Sequence, residues 1–397
     1  MGQHSNNQGN LRRFKRSAFI SLAFSLLGLY VVIHFTGGYD SWKDITRLEP
    51  AILAAAGGLM VLTWLLDCLR MVFLSSSLGA DLTILQGMRI AVMGAFASNI
   101  TPFDSGGEPV QAYMLTEIGL TAGQSTAVIA TKTLCNGLAR FTLGLVAFLW
   151  LLFFADHWRM TKILYGMLSL GVLLYFAVFA LSFYLIFHPE KVKVVLVPII
   201  RNRLTLRFFQ PATLDMILNR IDGEIQEFRS ALEEFVENWR PTLGLAMALS
   251  YVYWIVMTLI PYLVIWGLGI RSSLLQVMAI TLLFYLISVY IPTPGSSGAA
   301  ELGFGLMFTS LVPQGLVGIF TLVWRGFTYY LSLTAGAVLM AFDFVKRRKP
   351  AFAKFRLFSI FGAGYSAESM NPSARREIRK DFDTRMPNDL QSPSCKG

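Results

Sequence analysis

Charge is scarce in this chain, and so are the side chains that usually carry enzyme chemistry. Only 15% of its 397 residues are charged. Its three cysteines, Cys68, Cys135 and Cys395, are too few and too scattered for a disulfide framework, and none falls in a Cys-x-x-Cys pair. The histidines His4, His34, His157 and His188 have no metal-ligand spacing, so no metal is expected. No phosphate-binding loop or dinucleotide fingerprint occurs, and no cofactor is expected. Gly2 is followed by Asn6 where myristoylation needs Ser or Thr. The first apolar run is too long for a signal peptide and has no clear cleavage site, so it reads as an anchor.

What is present is apolar length. The chain is 54% hydrophobic, and long apolar runs recur along it, which makes it an all-α polytopic membrane protein. A net charge of +10 would suit nucleic acid, but the bases sit in short clusters beside apolar spans. That placement follows the positive-inside rule and contact with anionic lipid, and no nucleic-acid partner is expected.

Residues 1–16 are polar and basic, ending in Arg12, Arg13, Lys15 and Arg16, and they place the N-terminus in the cytoplasm. The first membrane half, 17–188, holds a span at 17–36 and a second at 51–74. The second carries Asp67 and Arg70, three residues apart on one helical face, where they can pair. A broken unit at 82–119 follows, then a long segment at 121–155 with Lys132 and Arg140, a polar turn at His157-Trp158-Arg159, and a span at 163–187.

Residues 189–241 form a cytoplasmic insertion that opens with Lys191, Lys193, Arg201, Arg203 and Arg207. Its second part carries a stripe in steps of three and four: Leu214, Leu218, Ile221, Ile225, Phe228, Leu232, Phe235 and Trp239. Seven acids against three bases between Pro211 and Arg240 make this helix a poor ligand for anionic lipid. Packing on its own protein or on a cytoplasmic partner is expected. The second membrane half, 242–345, has a span at 243–267, a segment at 273–291, a broken loop, a short piece at 302–312 and a long helix at 314–344. Lys346, Arg347, Arg348 and Lys349 hold that end in the cytoplasm, and 346–397 reads as a basic, disordered tail. The expected location is the cytoplasmic (inner) membrane of a bacterium; a homo-oligomer is left open.

Two loops interrupt the apolar pattern. One is Pro292-Thr293-Pro294-Gly295-Ser296-Ser297-Gly298-Ala299-Ala300-Glu301; the weaker one is Thr101-Pro102-Phe103-Asp104-Ser105-Gly106-Gly107-Glu108. Pro and Gly break helices, and a carboxylate at membrane depth is costly unless it is used. The halves also align. Leu78-Gly79 and Leu268-Gly269 are 190 residues apart, as are Leu85-Gln86 and Leu275-Gln276. In each half a base follows an acid by 24 residues, Lys132 after Glu108 and Arg325 after Glu301. This is the pattern of a duplication.

Counting spans from a cytoplasmic N-terminus puts Leu78-Gly79 inside and Leu268-Gly269 outside, as in an inverted repeat. The parity closes with six full spans and two re-entrant hairpins; hydropathy alone counts about eight apolar helices. A simple bundle in which both broken segments cross fully is the rival. Two hairpin tips meeting near the midplane would line a polar cavity. Helix N-termini near Val110 and Leu302 would favour an anion there, and Arg325 could grip a phosphate in a bidentate manner. The same charges could instead be structural pairs, Glu108–Lys132 and Glu301–Arg325. Gln111 and Asn136 are weaker candidates; Tyr113 and Trp324 read as packing residues.

At Ser105-Gly106-Gly107-Glu108, the Pro292–Glu301 loop and Arg325 the chain resembles the lysylphosphatidylglycerol synthetase transmembrane family, over roughly residues 15–345. In that family the membrane domain moves aminoacylated phosphatidylglycerol between leaflets, and a separate soluble domain makes the lipid. Nothing after Phe344 is long or apolar enough to be that catalytic domain. The resemblance therefore implies a lipid translocase without synthetase activity. Ser296-Ser297 stands where relatives tend to have glycines, and Lys132 where Arg is usual. The expected substrate-binding set is Asp104, Ser105, Glu108, Gln111, Lys132, Ser296, Ser297, Glu301 and Arg325, and the expected partner is the anionic head group of a membrane lipid. The alternatives are a membrane enzyme that modifies lipid head groups, with Glu108 or Glu301 as general base, and a non-transporting scaffold.

Overall fold

A computed structural model describes residues 30, 34, 49–154, 162–189, 191, 211–237 and 240–345. Most of the expected first span, the polar turn at 157–159, nearly all of the basic opening of the insertion, Trp239 and the tail beyond 345 lie outside the described residues.

Among the described residues the protein is helical throughout, with eleven α-helices and no strand. In chain order these are α1 (Pro50–Ser76), α2 (Ile84–Ile100), α3 (Gly107–Thr116), α4 (Ala122–Phe154), α5 (Lys162–Phe187) and α6 (Pro211–Glu237). They continue with α7 (Arg240–Gly267), α8 (Leu274–Ser288), α9 (Ala299–Phe308), α10 (Gln314–Arg325) and α11 (Leu331–Val345). A single π turn, Gly326–Tyr330, joins α10 to α11 without a break in the chain. Among the described residues five stretches are long and apolar enough to cross a membrane: α1, α4, most of α5, α7, and α10 with α11. The apolar helices α2, α8 and α9 are shorter.

Local chemistry sets the boundaries. Pro50 opens α1, where its missing N–H costs no hydrogen bond. Thr83 and Gln86 close a capping box on α2 at 3.0 and 3.4 Å. Thr121 and Gln124 make the same reciprocal pair before α4, at 3.0 and 3.1 Å. The lipid-facing side is plain on α5. Leu170, Leu173, Leu174, Phe176, Leu181 and Phe183 are all exposed, which in water would be an aggregation surface and in a bilayer is solvation.

The packing interleaves the two halves. α1 lies along α7; α2 packs against α1, α3 and α11; α8 packs against α4, α7 and α9. Each short helix pair is therefore held by a long helix from the other half. The loops at the two helix breaks meet. Pro102 and Pro294 form an antiparallel bridge, and the Gly295 N–H donates to the Thr101 carbonyl at 3.4 Å. Their backbones also match: φ is 57° and 52° at Phe103 and Asp104, and 59° and 53° at Gly295 and Ser296. Gly295 is required twice over, because a Cβ there would sit 2.5 Å from the Asn99 carbonyl oxygen as well as at positive φ. α3 and α9 begin immediately after Gly106 and Gly298, earlier than the Val110 and Leu302 starts expected from sequence.

The insertion helix α6 docks on its own protein. Phe228, Ala231, Leu232 and Phe235 are buried against α4 and α7, as the stripe predicts for the described part of the seam. The Glu224 carboxylate accepts the Gly123 N–H at 2.7 Å, an acid at the start of α4 where the helix dipole favours it. Gly123 is what lets the helices approach: a Cβ there would meet the Glu224 carbonyl oxygen at 2.4 Å.

Candidate functional site

The second loop carries the best-enclosed charge. Glu301 is the third residue of α9, so its side chain folds back and accepts the Gly298 N–H on Oε2 at 2.6 Å. Its Oε1 lies 2.9 Å from Nε of Arg325, the last residue of α10. Both side chains are buried, at 0% and 7% exposure, so neither charge is repaid by water. The Nε–H of Arg325 is not aligned on the carboxylate, so the contact is chiefly charge on charge. Arg325 also donates through Nη2 to the Gly295 carbonyl at 3.3 Å. Its guanidinium lies 5.0 and 5.3 Å from the ring centroids of Tyr329 and Trp324. The π turn follows Arg325 directly and carries Tyr329, whose carbonyl accepts from Asn99 of α2 at 3.4 Å. A π turn inserted at a charged residue is a common mark of a functional position.

Ser296 and Ser297 are buried beside this pair. Ser296 Oγ donates to the Ser288 carbonyl at 3.0 Å, and the Ser297 carbonyl accepts Thr293 Oγ1 at 2.8 Å. These bonds fix the loop. Asp104, in the matching place on the first loop, has a buried Oδ1 without a hydrogen-bond partner. The charges of Arg325 and Arg140 both act on its carboxylate. Ser105 is exposed, its Oγ turned back to the Pro102 carbonyl at 2.8 Å.

The first half does not copy the second. Glu108 is exposed and makes no ion pair among the described residues, so the expected Glu108–Lys132 pair is not formed. The reason is register. Glu108 is the second residue of α3, whereas Glu301 is the third of α9, and one residue turns a helical side chain by about 100°. Lys132 instead lies 3.0 Å from Asp67 on α1 and donates to Gln111 Oε1. Gln111 Nε2 donates to the same Asp67 carboxylate at 3.0 Å.

Asp67 and Arg70 do pair, at 2.8 Å, as their spacing predicts. Arg70 goes further, reaching Asn136 Oδ1 at 3.0 Å and Ser250 Oγ at 3.1 Å, with Tyr253 under its guanidinium at 4.8 Å. The expected set thus separates into two buried clusters: Glu301, Arg325, Ser296 and Ser297 at the loop contact, and Lys132 and Gln111 on the Asp67–Arg70 pair.

Arg140 was visible in sequence only as a base inside a long apolar segment. It is half-buried in the middle of α4, and its Nε donates to Tyr175 Oη at 2.9 Å. The Tyr175 and Trp254 ring centroids lie 4.8 and 5.1 Å from its guanidinium carbon. Among the described residues it has no carboxylate partner, unlike Arg70, Lys132 and Arg325. Its charge reaches both Asp104 and Tyr253, so it stands within electrostatic reach of both clusters. Among the described residues no group of three His, Cys, Asp or Glu side chains is placed to hold a metal ion.

Residues 18–336 match the family described as the lysylphosphatidylglycerol synthase TM region. A UPF0104 membrane protein of Archaeoglobus fulgidus is 25% identical over 329 residues, 83% of this chain and 98% of that protein. A UPF0104 membrane protein of Methanothermobacter thermautotrophicus is 21% identical over 334 residues, 83% of this chain and 96% of that one.

Proposed function

The chain belongs to the lysylphosphatidylglycerol synthase transmembrane-region family, and on that premise we propose that this integral membrane protein moves an anionic or aminoacylated phospholipid between leaflets. The observation that carries the reading is the contact of the two broken loops, Pro102 against Pro294, inside an apolar chain. Irregular backbone survives at membrane depth when it is buried in protein or lines a polar cavity. Here it includes Asp104 and is bonded by Arg325 through the Gly295 carbonyl, with the charge of Arg140 acting on Asp104, charges suited to a phosphate and a cationic head group.

In this reading the halves are inverted copies, and α2–α3 and α8–α9 are re-entrant hairpins entering from opposite faces. Their matching loop backbones, the antiparallel sense of the bridge, and the embrace of each hairpin by a long helix of the other half support it. The protein then sits in the cytoplasmic membrane with both termini inside. Single cysteines at the exposed turns Asp81 and Arg271 should label from opposite faces, Asp81 from the cytoplasm; labelling from one face would leave a simple bundle.

The functional test is purified protein in liposomes containing labelled phosphatidylglycerol. Leaflet exchange without chemical change is the expected result. Conversion of the head group would make it an enzyme, and neither outcome would leave a scaffold. No nucleophilic His or Cys lies in either loop, which weighs against the enzyme.

A further inference from the structure

Arg140 sits in the middle of α4 without an ion pair among the described residues. Eighteen residues separate it from Ala122 at the start of α4 and fourteen from Phe154 at its end, about 27 and 21 Å along the axis of a helix long and apolar enough to cross a membrane. A cation there is expensive, and within membrane spans such charges are normally paired. The protein supplies Tyr175 Oη to Nε and two aromatic faces, and no described residue bonds its terminal nitrogens. Those nitrogens are the fork that grips a phosphate with two parallel hydrogen bonds.

The two helices that frame Arg140 also line an apolar crevice. On α5, Tyr175 is followed at four-residue intervals by Phe179, Phe183 and Phe187, one face of the helix. On α7, Trp254 lies two turns from Met247. Phe179, Phe183, Phe187 and Met247 line a partly open apolar cavity of about 140 Å³, together with Leu134 and Leu138 of α4 and Leu232 and Phe235 of α6. A partly open crevice of this lining suits an apolar guest. Tyr175 ties the two levels together: its Oη donates to the Gly137 carbonyl at 3.2 Å, and Phe141 stacks on both Tyr175 and Phe179.

We propose that Arg140, Tyr175 and Trp254 form a phosphodiester site for a membrane lipid, one of whose acyl chains occupies the aromatic cavity between α4, α5, α6 and α7. The guanidinium, whose terminal nitrogens no described residue bonds, sets the charge of the occupant, and the adjoining apolar crevice calls for a chain. The proposal rests on the reading that a lipid is the cargo, and it adds where that lipid is held. The insertion helix gains a role as well. Leu232 and Phe235 of α6 wall the cavity, so this acidic helix closes the chain site from its side of the protein.

The test uses the full chain in a neutral maltoside detergent. The probe is phosphatidylglycerol carrying a photoactivatable diazirine on one acyl chain, with labelled peptides mapped by mass spectrometry. Diacylglycerol with the same chain is the phosphate-free control. Phosphatidylglycerol should label peptides around 134–138 and 179–187. Arg140→Gln should weaken its binding about tenfold, toward the diacylglycerol level, as expected for one lost charge-assisted contact. Arg140→Lys should fall between. Leu134→Phe, which fills the cavity and leaves the cation in place, should remove the labels by crowding out the chain.

Inorganic phosphate in large excess should not displace the probe; displacement would make this a site for free anions and overturn the acyl half of the proposal. Labelling elsewhere, or binding indifferent to Arg140→Gln in folded protein, overturns the whole of it. Because binding is read here without transport, either failure is distinguishable from a failure of leaflet exchange.

Discussion

Removing Arg325 should cost the protein more than removing Glu301, and removing both should cost less than the sum. Arg325→Gln leaves the Glu301 carboxylate at 0% exposure with its countercharge gone. Breaking a buried pair from one side typically costs about 3–5 kcal/mol. Against a total stability of about 5–15 kcal/mol, that is enough to lower the folded yield visibly. Glu301→Gln is milder for two structural reasons. The Gln carbonyl can still accept the Gly298 N–H, and Arg325 keeps the Gly295 carbonyl at 3.3 Å and the faces of Tyr329 and Trp324. Its cost should fall at or below about 3 kcal/mol.

In the double variant no charge is stranded, so its loss should lie close to that of the worse single change, a coupling of about 2–3 kcal/mol. Thermal unfolding of detergent-solubilised protein, followed by size exclusion, gives all four corners of the cycle. Single losses that add to within about 0.5 kcal/mol would refute the claim that these side chains act as a buried pair.

Asp67→Asn should cost about 3 kcal/mol, because it removes the countercharge of both Arg70 and Lys132 while Arg70 keeps Asn136 and Ser250 and Lys132 keeps Gln111; exposed Glu108→Gln should stay within about 0.5 kcal/mol. The same unfolding assay ranks them, and a Glu108 variant worse than Asp67→Asn would mean that the Lys132 partner has been misassigned. Cysteines at Pro102 and Pro294, in a background without native cysteines, should cross-link in membranes. Bridged antiparallel residues have Cα atoms about 4.5–5.5 Å apart, inside the disulfide range of about 4.4–6.8 Å. Cleavage between the halves followed by non-reducing electrophoresis reads the bond, and no cross-link would separate the loops.

Much of this arrangement could be read from the sequence, and the parts that could not have a common cause. The helix breaks, the long apolar helices and the seam of α6 are local or periodic signals, and they hold for the described residues. Glu301–Arg325 came from a 24-residue spacing on two consecutive helices. The same spacing misled at Glu108 and Lys132 because a shift of one position after Gly106 turns Glu108 outward. Asp67 looked like half of a local pair; that it also serves Lys132 and Gln111 depends on three helices converging, which no window contains. Arg140 was in plain view, but its lack of an ion pair among the described residues is a tertiary property. The π turn after Arg325 left no mark in composition at all.

The central claim is that the loop contact and its charges handle a lipid rather than simply hold the fold. Leaflet exchange of labelled phosphatidylglycerol by the Glu301→Gln/Arg325→Gln double variant, normalised to folded protein in the same liposomes as wild type, tests it most directly. Folded protein with exchange lost is the expected result; exchange near the wild-type rate would leave Glu301 and Arg325 as scaffold.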